Sequence, residues 1–124
     1  MRFTLLIILL NSAFCFGQKA EFFCPKSTFS FPETKEGTLL HHTFVVYNKG
    51  NAPFEILACD VECSCTDVVI KNPYLEAGDS TNVDVTFNSD GKVFYQDRVV
   101  KLTTSIRKKP YLLRFKVKVI PKPE

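Results

Sequence analysis

The chain has 124 residues, with 16 Lys and Arg against 13 Asp and Glu, for a formal charge of +3. That balance is too mild to argue for a nucleic-acid partner, and the length suits one domain with one hydrophobic core. Twelve Phe and no Trp point to a Phe-filled core and exclude the antibody-type pairing of a buried Trp with an inter-sheet disulfide.

The N-terminus has the layout of a secretory signal. Arg2 is a minimal positive region, Phe3 to Leu10 is an apolar run, and Asn11 to Gly17 supplies small residues before a cut ahead of Gln18. The apolar run is short of the ~20 residues that cross a bilayer as a helix. Residues 1–17 are therefore expected to be removed, and 18–124 to form a single exported domain with no transmembrane segment in the mature chain. Loss of Arg2 leaves 15 cations against 13 acids. Loss of Cys15 leaves four thiols, Cys24, Cys59, Cys63 and Cys65, and an even number in an oxidising compartment favours disulfides.

Short alternating apolar runs follow, separated by turn residues. Thr28 to Phe31 reads as a first strand ended by Pro32. Leu40, His42, Phe44 and Val46 alternate on one face of a second, closed by Asn48-Lys-Gly50. Phe54 to Cys59 is a third and Asp67 to Ile70 a fourth, stopped by Asn72-Pro73. Ala77 to Ser80 is a turn before Val83, Val85 and Phe87. Ser89-Asp90-Gly91 carries a hairpin-type turn signal. Arg98 to Thr104 is the next strand, with Val100, Leu102 and Thr104 inward. In the last, Leu113, Phe115, Val117 and Val119 alternate with Arg114, Lys116 and Lys118, the period-two pattern of a half-buried strand. About seven strands with turns every 8–12 residues predict an all-β, immunoglobulin-like antiparallel sandwich.

The one concentration of unusual chemistry is Cys59-Asp-Val-Glu-Cys63-Ser-Cys65-Thr66-Asp67. A redox role is disfavoured, because Asp60, Glu62 and Asp67 raise a thiol pKa where a reactive thiol needs it lowered. A soft-metal site for copper or zinc requires Cys24, Cys59, Cys63 and Cys65 to converge. His41 and His42 are adjacent on a strand and face opposite ways, so they do not both reach one ion. The preferred reading is at least one disulfide. In an extended strand Cys63 and Cys65 stand about 6.5–7 Å apart, too far to bond. Either Cys63-Ser-Cys65 is a tight turn, or Cys59 bridges the loop base and Cys24 ties the N-terminus to the cluster.

The motifs Phe29-Ser-Phe31, Glu36-Gly37, His42-Thr-Phe44, Asn48-Lys-Gly50, Cys63-Ser-Cys65-Thr66 and Ala77-Gly78, in this order, resemble domain-of-unknown-function family 1573. The resemblance covers nearly all of the expected mature chain. It implies an exported Ig-like domain of a kind common in Bacteroidetes, with a Cys-Gly-Cys-Thr motif after the third strand, distantly similar to major-sperm-protein and pilus-chaperone modules. Ser64 replaces the usual Gly of that motif and Ala77 the usual Pro.

No catalytic constellation, phosphate loop or cofactor motif is present. Arg107, Lys108, Lys109, Arg114, Lys116, Lys118 and Lys122 read as a solvated cationic face with Lys shielding an edge strand, rather than as a lipid- or glycan-binding patch. The expectation is a non-enzymatic periplasmic or extracellular module that binds an envelope protein by sheet-edge addition. Soft-metal binding is the alternative.

Overall fold

The computed structural model describes residues 17–123; the expected signal segment falls almost wholly outside them. The described chain forms ten β-strands: β1 (Phe22–Phe23), β2 (Thr28–Ser30), β3 (Thr34–Lys35), β4 (Leu39–Asn48), β5 (Phe54–Val61), β6 (Thr66–Ile70), β7 (Tyr74–Leu75), β8 (Ser80–Asn88), β9 (Phe94–Thr104) and β10 (Tyr111–Ile120). They make two packed sheets, one ordered β1-β4-β8-β6 and the other β2-β10-β9-β5-β7, with β3 also on β10. The seven expected strands are all present. The three unforeseen ones, β1, β3 and β7, are two residues each, too short to show a period. No helix among the described residues is long and apolar enough to cross a membrane.

The alternation read from the sequence sets the core. Phe44 and Val46 of β4, Val83, Val85 and Phe87 of β8, Val100 and Leu102 of β9, and Leu113, Phe115, Val117 and Val119 of β10 are all buried. Phe87 meets Phe115 across the two sheets, with ring centroids 5.3 Å apart. β5 alone breaks its phase. Ile56 opposes Thr104 but Ala58 opposes Thr103, so Leu57 is an inserted bulge residue. Leu57 and Ala58 both face solvent, and Cys59 is the next residue turned toward the core.

Two turns act differently from their sequence signals. Lys92 N–H donates to Ser89 C=O at 3.0 Å and Gly91 has φ +73°, so the Asp90-Gly91 turn forms. It does not close a hairpin, because β8 and β9 belong to different sheets; the turn carries the chain across the sandwich. At Pro32, β2 gives way to β3, and both run parallel to β10. Their registers, Phe29↔Phe115 and Thr34↔Val119, differ by one residue, an irregularity placed where proline supplies no N–H.

The N-terminal strands are divided between the sheets. β1 pairs with β4, while β2 and β3 pair with β10. Strand β10 is therefore flanked on both sides and is not the expected edge strand.

Candidate functional site

Residues 62–65 form the turn that takes the chain from β5 in one sheet to β6 in the other. The turn brings the Cα atoms of Cys63 and Cys65 to 5.2 Å, and their Sγ atoms are bonded, a separation within the ordinary disulfide range. Cys65 N–H donates to Cys63 Sγ at 3.2 Å. Thr66 N–H donates to Cys63 C=O at 3.2 Å, and Asn88 N–H to Cys65 C=O at 2.9 Å. The tight turn is thus the correct one of the two alternatives, and the bridge closes a local ring rather than stapling a long loop.

Cys24 and Cys59 are free thiols. Phe23 sits opposite Tyr47 near one end of β4, whereas Thr66, just past the bridge, sits opposite Phe87, which faces Leu40 near the other end. Seven residues of strand separate the two levels, about 23 Å at strand pitch. Cys24 therefore neither bonds to the cluster nor joins it as a ligand, and that expectation is corrected. Cys59 lies in β5 opposite Leu102, packed against the core. Among the described residues no three His, Cys, Asp or Glu side chains are placed to hold a metal ion, so Cys24, Cys59, Cys63 and Cys65 do not form the convergent soft-metal site weighed from the sequence. Burial pushes the Cys24 thiol up, offset in part by a hydrogen bond with the Lys26 backbone. Burial also pushes Cys59 up, aided by the charge of Asp60. Both are poor nucleophiles at neutral pH.

His41 and His42 face opposite ways, as strand geometry requires. His41 turns outward to Asp84, Nε2 to Oδ1 3.7 Å. His42 stacks on Phe29 with ring centroids 3.6 Å apart and meets Phe44 edge-on at 4.7 Å. Burial, followed by the neighbouring His41, holds the His42 pKa below 6.5.

The cationic residues have local partners in several places. Arg114 pairs with Asp97 at 3.4 Å and Lys122 with Asp90 at 3.6 Å. The Arg107 guanidinium lies 3.7 Å over the Tyr111 ring, and Lys118 lies 5.7 Å from that of Tyr95.

Two internal strands outrun their neighbours. β9 continues to Phe94 along β10, but β5 leaves it at Val61↔Val100, with Phe94 62% and Tyr95 79% exposed just beyond. Among the described residues Phe94 is also the non-glycine one with positive φ, +65°, a left-handed conformation that costs a bulky side chain energy. β4 pairs with β8 over nine residues, Leu39 to Tyr47, while β1 covers only its last two. Neither open edge was read from the sequence. The signals were Pro25, two residues past the end of β1, and the cysteine turn, which removes β5.

With two sheets of this topology, the fold is an Ig-like β-sandwich. Residues 23–119 match the family described as "Protein of unknown function (DUF1573)", and the chain belongs to that family. No curated protein matches it. Among solved structures it is similar to a protein of unknown function from Porphyromonas gingivalis W83, with a TM-score of 0.71 and 10% identity over 86% of this chain and 50% of that one. A PapD-like ASH domain of human CEP192 aligns with a TM-score of 0.55 and 14% identity, over 86% of this chain and 87% of that domain. Part of the Vibrio cholerae VesB protease aligns at 0.61 and 10% identity, over 82% of this chain and 32% of that one. The chain spans half or less of the first solved structures it resembles, and identities this low speak to fold alone.

Proposed function

We propose that this chain is an exported, non-enzymatic Ig-like module of the bacterial cell envelope that binds a partner protein by adding the partner's extended segment to a sheet edge. The observation that carries the reading is that, among the described residues, parts of β4 and β9 have no strand paired along one edge. Backbone groups along such an edge gain hydrogen bonds when another strand docks, which is the physical basis of strand addition. The secretory layout of residues 1–17 supports export. The half-buried thiols with raised pKa and the bridged Cys63–Cys65 pair support a structural role for the cysteines.

The test is in-cell crosslinking of the tagged protein at native expression, followed by fractionation and non-reducing peptide mass spectrometry. The expected result is an envelope-associated chain beginning near Gln18, with Cys63 bridged to Cys65 and a discrete crosslinked partner. A cytosolic chain retaining residues 1–17, or an exported one recovered only as a free monomer, overturns the proposal.

A further inference from the structure

We infer that the open edge of β4, from Val45 back to His41, is the strand-docking site, and that its ligand is an extended partner segment carrying one bulky apolar side chain. The inference rests on the strand-addition reading above and locates it.

The placement follows from register. Lys49 N–H donates to Glu21 C=O and Asn51 N–H to Lys19 C=O, each at 2.9 Å, continuous with the pairs Phe22↔Asn48 and Phe23↔Tyr47. On the other side of β4, Asn48 N–H donates to Asp79 C=O at 2.8 Å and Ser89 N–H to Thr38 C=O at 3.1 Å. Backbone groups of an antiparallel strand face its two neighbours alternately. The even-numbered residues of β4 therefore face β8, and Tyr47, Val45, Thr43 and His41 face the side of β1.

β1 satisfies Tyr47. The next position in its register, opposite Val45, falls to Pro25. Proline has no N–H to donate, and the chain leaves β4 there, reappearing three residues later as β2 on β10 in the other sheet. The N–H and C=O groups of Val45, Thr43 and His41 are left along an edge that continues the line of an existing pairing.

That edge borders a cavity of about 250 Å³ lined by Pro25, Lys26, His42, Phe44, Val45 and Tyr47. The cavity is mostly apolar, and the crossing segment at Pro25 and Lys26 forms one wall. Strand addition uses main-chain hydrogen bonds for affinity and pockets under alternate side chains for specificity; here both lie together. A strand taking up the line of β1, antiparallel to β4, reaches both. The open edge of β9 has exposed aromatics, but the cavity near it, at Asp60, Val61, Glu62, Val99 and Lys101, is smaller, about 170 Å³, and three of those residues are charged.

The test uses the chain from Gln18 and a synthetic peptide of alternating Thr and Val with a central Phe, followed by backbone-amide NMR and hydrogen exchange. The expected result is shifts and added protection at the amides of His41, Thr43 and Val45. Two variants probe the site by different routes. Val45→Pro deletes an outward N–H without touching the β8 ladder, and Pro25→Thr restores a donor so that β1 can extend over the site. Each is expected to weaken the peptide about tenfold, the value of roughly one hydrogen bond. If Val45→Pro does not fold, Pro25→Thr alone decides.

Protection confined to Tyr95 and Asp97 of β9 overturns the β4 assignment while leaving strand addition standing. Unchanged binding in Pro25→Thr overturns it as well. Self-association of the chain through β4 with no peptide response replaces the partner segment with a second copy. Absence of peptide binding at any edge overturns the site, and the crosslinking experiment then judges the broader reading separately.

Discussion

Asn48 shows how one side chain connects parts of the chain that are distant in sequence. It is buried, and its Nδ2 donates to Ala52 C=O at 2.8 Å and to Leu75 C=O at 3.2 Å. Its Oδ1 accepts from Glu21 N–H at 3.2 Å and Gly50 N–H at 3.0 Å. Its own C=O accepts from Gly78 N–H at 3.0 Å, so the Asn48-Lys-Gly50 and Ala77-Gly78 motifs meet in space. Asn48→Ala is expected to cost about 2–4 kcal/mol in urea unfolding, because several buried backbone groups lose their partners at once. His42 gives a pH signature. Its folded pKa is lowered below 6.5 by burial and by His41, so the folded state favours the neutral ring. The stability it contributes is complete above pH 6.5 and is lost as the pH falls from there through the folded value. A thermal-unfolding series from pH 7.5 to 5 should show this loss, and His42→Phe should remove that part of the slope. The sequence showed His42 on the inward face of its strand; its stacking on Phe29 depends on β2, which lies in the opposite sheet.

At the scale of elements, the division of the N-terminal strands, β1 to one sheet and β2 and β3 to the other, is the decisive arrangement. β1 is held to β4 by few hydrogen bonds and by close backbone contact at Gly50. A Cβ at Gly50 would overlap the Lys19 carbonyl and the Glu21 nitrogen, backbone atoms with little room to yield. Gly50→Ala is expected to detach residues 18–23 and destabilise the fold by about 1–3 kcal/mol, the usual cost of overpacking. Faster hydrogen exchange at Lys49 and Asn51, which donate to Glu21 and Lys19, is the readout. The long strands were legible because β4, β8, β9 and β10 each repeat the period of two for enough residues to declare a buried face. β1, β3 and β7 were not, since two residues contain no repeat and are strands only because a longer neighbour supplies their partners. The Leu57 bulge was hidden for the same kind of reason: it is defined by Thr103 and Thr104 opposite it.

Across the whole molecule, the two sheets are held by a Phe-centred core. Phe87 of one sheet meets Phe115 of the other, and both are fully buried. Phe115→Ala is expected to cost about 3–5 kcal/mol in equilibrium unfolding, a large share of the roughly 5–15 kcal/mol that stabilises a domain. The cysteines divide along the same line between local and global information. Spacing left Cys63 and Cys65 two routes, a tight turn between them or more distant partners, and the structure takes the local one. Whether Cys24 and Cys59 joined them depended on where separate strands came to rest. The sequence by itself determined the all-β class, the seven expected strands and the buried faces of the long ones, since side-chain alternation is written residue by residue. Tertiary structure alone decided that the Asp90-Gly91 turn crosses between sheets, that β10 is enclosed, and that β4 is left open beyond Pro25. Those outcomes depend on which strand lies beside which, and pairing is a relation between segments that no single segment encodes.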